Sequence, residues 1–340
     1  MERRDFFKQS AVLAMATGLT AEFSHQAQAA MPPQTSTFAG KEGKTIPEWG
    51  DNQVEHMTTY NPDFADKNLW IRKDNQALTT YRTNPNQKYP YFYPLVGPVS
   101  RVSVVSESAQ PWPHHRGVFC CGVDKCNGGN YWQSTRDDGR VISQEVKVIS
   151  AEKTKVEFTD RCYWLRKDVE PFIEDHRRYV IDWRCDDYYL LDLYYTMNML
   201  TDVEILKTNH GFFGVRVEQD LAPDSGGILV NAEGVVGEKE TLGTSSNWMA
   251  FYGKRRFNPE ITEGVAVFSP PNDPFGAFEK TPWFTRDYGN ISPMPFNFVK
   301  DDYKFRFPLG SEIKVQYRIV VFAGTPSDVD LNGLWKEFYA

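Results

Sequence analysis

The chain has 340 residues, of which 41% are hydrophobic and 24% charged, and its net charge is −7. That length supports a substantial core, and the acidic balance argues against nucleic acid, whose phosphates call for a basic face. Aromatic residues reach 14%, which favours strands over helices and suits a site that stacks against flat sugar faces.

The N-terminus reads as a targeting segment. Arg3-Arg4 with Phe6-Phe7-Lys8, a mildly apolar stretch from Ala11 to Thr20, and small residues at Ala27 and Ala29 fit a twin-arginine signal peptide over residues 1–30. The mature chain is therefore expected in the periplasm. No later apolar run is long enough to span a membrane. Residues 31–60 are polar and punctuated by Pro and Gly, as in a linker or strap, and His56 within them is assigned no role.

Residues 61–340 read as one domain of short strands. WIRK, ALTTYRT and RVSVVSE come first; GRVISQEVKVIS and TKVEFTDRCYWL then alternate apolar and polar, as half-buried antiparallel strands do. HRRYVIDWR, YYLLDLYYTMNML, GFFGVRVE, ILVNAEG, NWMAFYGK, EGVAVFSP and EIKVQYRIVVFAG follow. Asp328 to Tyr339 is the one convincing helix, with Leu331, Leu334, Trp335 and Phe338 on one face. The expected class is all-β: a large antiparallel β-sandwich, jelly-roll or galactose-mutarotase-like, with one concave aromatic face and a short C-terminal helix. Five cysteines at no framework spacing read as buried or free thiols.

Three clusters carry candidate chemistry. His114-His115-Arg116-Gly117 follows Pro111 and Pro113, so a loop can aim both imidazoles at one place before the strand GVFCCGV begins. His210 and Arg216 are six residues apart and share a face on a continuous strand, although Gly211 and Gly214 hint at a bulge. Trp283, Arg286 and Tyr288 are expected in a loop, where Arg suits a carboxylate and Tyr can exchange a proton. His176, amid Glu174, Asp175, Arg177 and Arg178, reads as a solvated strand end.

The same clusters, with the Tyr89–Pro94 opening, Asn247-Trp248 and the Pro270–Asn272 turn, resemble a bacterial family that carries the name methane-oxygenase-like. The likeness covers roughly residues 65 to 325; Phe284 stands where that family often has His. The name is a poor guide, because a membrane oxygenase needs spanning helices. The resemblance implies instead a carbohydrate-active oligosaccharide dehydratase of ulvan breakdown. Such an enzyme removes water from a non-reducing-end uronic acid and leaves a 4,5-unsaturated sugar.

That reaction needs a neutralised carboxylate, a base and an acid. Arg286, Arg216 or Arg116 is the candidate clamp, His115 or His210 the base, and Tyr288 or the other His the acid. His114, Trp112, Trp132, Trp248 and Trp283 complete the expected substrate wall. No cofactor is required, but a divalent ion on His114, His115 and His210 is an alternative neutraliser. A glycoside hydrolase using Asp124, Asp137, Asp138 or Asp287 on uronate- or rhamnose-containing oligosaccharides, or a non-catalytic periplasmic sugar-binding protein, stands as the rival reading. The oligomeric state is not legible.

Overall fold

The computed structural model describes residues 58–60, 67–107, 109–133, 139–166 and 169–340. The twin-arginine segment, most of the strap with His56, and Asp137 and Asp138 lie outside the described residues. Two eight-stranded sheets dominate. The first runs in the order β1 (Thr58–Tyr60), β2 (Asn68–Lys73), β3 (Gln76–Arg82), β4 (Tyr91–Leu95), β5 (Val118–Val123), β11 (Gly211–Arg216), β16 (Asn290–Pro293) and β15 (Trp283–Arg286). The second runs β12 (Ile228–Asn231), β13 (Trp248–Arg255), β14 (Asn258–Phe268), β18 (Glu312–Ala323), β9 (Tyr188–Met199), β8 (Ile173–Asp182), β7 (Lys155–Leu165) and β6 (Arg140–Glu152). A ribbon of β10 (Val203–Leu206) and β17 (Lys304–Phe307) stands apart. The pairings within these sheets are antiparallel, so the expected all-β antiparallel sandwich is what the chain forms.

Period-two patterning explains the layers. In β7, Val156, Phe158, Cys162 and Trp164 are buried while their neighbours are half-exposed, as a strand with one wet face requires. Phe158 meets Tyr81 and Phe92 of the first sheet and Tyr179 of the second, with ring centroids 4.9 to 6.2 Å apart. The aromatic wealth thus fills the space between the sheets instead of lining an open concave face. Truncating Phe158 to Ala would cost about 3–5 kcal/mol. The edge strand β6 carries Glu145 and Lys147 outward and two register shifts, features that blunt an edge against further pairing.

A single turn, α1 (Glu238–Thr241), precedes β13, and the far face of the second sheet is covered by α2 (Leu331–Tyr339), whose Asp330 side chain accepts the Gly333 N–H at 2.8 Å as an N-cap. Leu331 and Leu334 pack there on Trp248, Ala250 and Phe268. In β13 the odd positions Met249 and Phe251 enter the main core, so the even Trp248 must face the helix. RVSVVSE forms only isolated bridges, at Ser103, Val105 and Glu107, and not a strand.

Candidate active site

The site lies on the outer face of the first sheet, over β5, β11, β16 and β15. Phe213 stacks on Tyr317 of the second sheet at 4.4 Å and is therefore inward; its neighbour Gly214 is outward. Phe212 is inward too, beside Trp164, because the register of β11 against β5 shifts between these two residues. This is the bulge that Gly211 and Gly214 suggested. A Cβ on Gly214 would come within 2.5 Å of the Phe119 ring, so only glycine leaves Phe119 its place under His115.

Facing this floor is a cavity of about 370 Å³. The loop before β5 contributes Trp112, His114 and His115; the turn after β5 contributes Trp132. Asn209 and His210 come from the entry to β11. Phe284, Arg286 and Asn290 project outward from the β15–β16 hairpin, joined by Tyr288 at its turn and by Met294. Gly117 redirects the loop into β5 at φ +57, with the Phe92 carbonyl where a Cβ would sit. His115, His210 and Arg286, distant in sequence, therefore share one mouth.

Four expected site residues do not line the cavity: Arg216, buried beneath Tyr288, and three that are elsewhere. Trp248 is under α2, its indole N–H bonded to Asn332 at 2.9 Å. Trp283 is in β15 and not in a loop; strand parity turns it inward, fully buried, while Phe284 and Arg286 face the cavity. Arg116 turns its guanidinium over the Tyr91 ring at 5.7 Å and does not line the cavity. His176 is solvated beside Glu174, as expected, but it lies within β8 and not at a strand end.

His115 is 5% exposed, stacks on Phe119 at 5.5 Å and lies 6.2 Å from the Tyr288 ring. Burial, then the neighbouring His114, Arg216 and His210, push its pKa down to about 2. His114 meets it edge-on at 4.5 Å and is lowered to about 4, by burial first and then by His210 and Arg116. Both rings are neutral at physiological pH. His210 is held by Asp124, with Nδ1 to Oδ2 3.1 Å, and its Nε2 lies 3.2 Å from the Gln133 amide nitrogen. Burial raises the Tyr288 phenol above its usual value, against the pull of Arg216 and Arg286, so it keeps its proton.

The two outward arginines differ. Arg286 donates from Nη1 to Glu238 Oε1 at 2.8 Å and covers Phe284 at 4.0 Å. Arg216 is 1% exposed beneath Tyr288, its guanidinium 4.5 Å from the ring centre, and donates only to the Gln110 carbonyl, at 2.7 Å. Among the described residues its Nε and Nη1 have no hydrogen-bond partner, and the same holds for buried atoms of three cavity-lining residues: His115 Nδ1, Trp132 Nε1 and Asn290 Oδ1. Unmatched buried polar atoms cost free energy, and five of the fifteen such atoms among the described residues lie in or just beneath this cavity.

A divalent ion does not fit. Among the described residues no three His, Cys, Asp or Glu side chains are grouped to hold one, and His210 Nδ1 is taken by Asp124. Asp124, weighed in the sequence only as a hydrolase carboxylate, proves to be the His210 partner. Asp287 accepts the Glu238 N–H at 3.1 Å, and none of the described residues lining the cavity is a carboxylate. Gln133, Asn290 and Met294 had no motif to announce them.

Residues 68–336 match the model of a family described as of unknown function, DUF6807. The chain belongs to that family. No curated protein matches this DUF6807 sequence. Among solved structures, a kojibiose phosphorylase from human microbiome is similar at 8% identity and TM-score 0.30, over 77% of this chain and 31% of that one. A heparan sulfate lyase from Pedobacter heparinus is similar at 9% identity and TM-score 0.33, over 78% of this chain and 37% of the lyase. A galactose mutarotase related enzyme from Lactobacillus acidophilus shares 10% identity at TM-score 0.30, over 79% of this chain and 97% of its own. The DUF6807 chain thus spans about a third of the phosphorylase and of the lyase, and at these scores the likenesses carry no argument about its activity. No helix among the described residues is long and apolar enough to cross a membrane.

Proposed function

We propose that this is a carbohydrate-acting enzyme, exported through its twin-arginine segment to work in the periplasm, that binds the terminal uronic acid of an oligosaccharide and eliminates water from it. The reading rests on Arg216. Four arginines are buried among the described residues. Arg177, Arg255 and Arg318 each meet a carboxylate at 3.0 Å or less; among the described residues Arg216 has none in ion-pair contact, only the more distant fields of Asp224 and Glu218. A buried cation without a direct ion pair is costly, and an anionic substrate supplies that pairing.

The layout suits elimination. Register pairs Val215, next to Arg216, with Val118 at the start of β5, and Gly211, next to His210, with Val123 at its end. The cavity so has a cationic end, with Arg286 in its wall and Arg216 buried behind Tyr288, and an end where His210 meets Asp124. A carboxylate at the first end has its α-proton acidified by the guanidinium field. A neutral imidazole takes that proton, and Tyr288, still protonated, donates to the leaving hydroxyl. Trp112 and Trp132 supply flat faces for the ring.

The test is a panel of uronate-terminated oligosaccharides, read by mass spectrometry and by the ultraviolet absorbance of the new conjugated double bond. Dehydration predicts loss of one water at unchanged chain length. Shorter products would instead favour a hydrolase, and unchanged sugar a binding protein.

A further inference from the structure

Building on the dehydratase reading, we infer that Asp124 is a positioning residue that fixes His210 as the Nδ1–H tautomer, so that Nε2 is the base that takes the substrate proton. Hydrogen-bond direction, fixed first at the backbone, sets the tautomer. The N–H groups of Trp132 and Gln133 donate to Asn130 Oδ1 at 3.0 and 2.9 Å. A backbone N–H can only donate, so that atom is the amide oxygen, and Asn130 Nδ2 donates to Gln133 Oε1 at 3.1 Å. Gln133 then presents its own NH₂ to His210 Nε2 at 3.2 Å. Nε2 must accept, which puts the ring proton on Nδ1, facing Asp124 Oδ2 at 3.1 Å.

Asp124 and Thr208 hold the rest of the residue. Asp124 Oδ1 accepts the Thr208 hydroxyl. The Thr208 oxygen accepts the His210 backbone N–H at 3.0 Å, and Asp124 N–H donates to the His210 carbonyl at 3.1 Å. Ring and backbone are thus fixed by the same two side chains. His114 and His115 have no carboxylate on the ring to stabilise an imidazolium; His210 does. Asp124 and Asn130 also line a second cavity, of about 550 Å³, so the carboxylate stands between the substrate cavity and another opening.

The step balances as follows. The carbon proton bonds to Nε2, displacing the Gln133 amide, and the C–H electron pair becomes the new C=C bond as the C–O bond breaks. Tyr288 gives its phenolic proton to the departing hydroxyl, which leaves as water. His210 then loses its extra proton to solvent and Tyr288 regains one.

Nitrogen-15 NMR of His210 in the full chain, without substrate, reads the tautomer directly. The expected result is an Nδ1–H ring in the wild type and a mixture in Asp124→Asn. With uronate oligosaccharide, Asp124→Asn should lose about 100-fold or more in kcat with KM near wild type, and Thr208→Val should lose less. A wild-type proton on Nε2, or an Asp124→Asn protein with unchanged tautomer and kcat, overturns the assignment. Should Asp124→Asn not fold, the wild-type spectrum and Thr208→Val decide. Failure of the wild type to dehydrate any uronate would sink the dehydratase reading alone, because the tautomer measurement needs no turnover.

Discussion

Arg177 and Arg216 are equally buried, at 1% exposure, yet their surroundings are opposite. Arg177 lies between the sheets and donates to both oxygens of Asp175, at 2.5 and 2.8 Å, while the Trp164 indole donates to the same carboxylate at 2.7 Å. Asp160 nearby accepts Tyr81 and Ser143, each at 2.7 Å. That region holds a direct, bidentate ion pair, which offsets the cost of burying the charge. Arg216 has a carbonyl, an aromatic face and two idle nitrogens. The difference teaches that this fold can pair a buried guanidinium directly with a carboxylate, and that beneath Tyr288 the described residues do not.

Removing each cation should sharpen the contrast. Arg177→Met is expected to destabilise by about 3–5 kcal/mol in denaturant unfolding, because Asp175 is left buried and unpaired. Arg216→Met is expected to stay within about 1 kcal/mol of wild type or above it, since no anion is orphaned, while kcat/KM on uronate oligosaccharide falls about 10²–10³-fold. Equal losses of stability in the two variants would erase the distinction. Next in size is Tyr288→Phe, which keeps the ring over Arg216 but removes the proton. Steady-state kinetics should show kcat down about 100-fold with little change in KM; an unchanged kcat would remove Tyr288 from the chemistry.

A smaller effect concerns pH. His115 and His114 have folded pKa values near 2 and 4, against roughly 6.5 in the unfolded chain. Between about pH 4 and 6.5 the unfolded state therefore carries protons that the folded state does not, so stability rises with pH through that window. His115→Phe, which preserves the stack on Phe119, should flatten the rise by about 1 kcal/mol or more in urea unfolding from about pH 5 to 7. An unchanged slope would mean that His115 is not held neutral.

Much of the fold was legible because strands declare themselves by alternation. β7 and β9 could be read from their residues, and α2 from the spacing of Leu331, Leu334, Trp335 and Phe338. The loop histidines were legible as a cluster because Pro111 and Pro113 exclude regular structure before them. Which face of a strand meets a cavity was not legible. Trp248 sits in a strand covered on both sides, and Trp283 in a short hairpin strand whose parity only the pairing with β16 reveals. The Asp124–His210 pair joins residues 86 positions apart, and no spacing rule reaches that far. Arg216 shows the limit most clearly: the sequence displays a cation but not whether an anion lies beside it.

The most direct measurement is the thermal stabilisation of wild type and Arg216→Met by glucuronate and by neutral glucose. Glucuronate at about a hundred times its Kd should stabilise the wild type by about 2.7 kcal/mol, with little effect of glucose and little effect of either sugar on Arg216→Met. Equal stabilisation of both proteins by glucuronate, or of the wild type by both sugars, would contradict the claim that Arg216 awaits an anion.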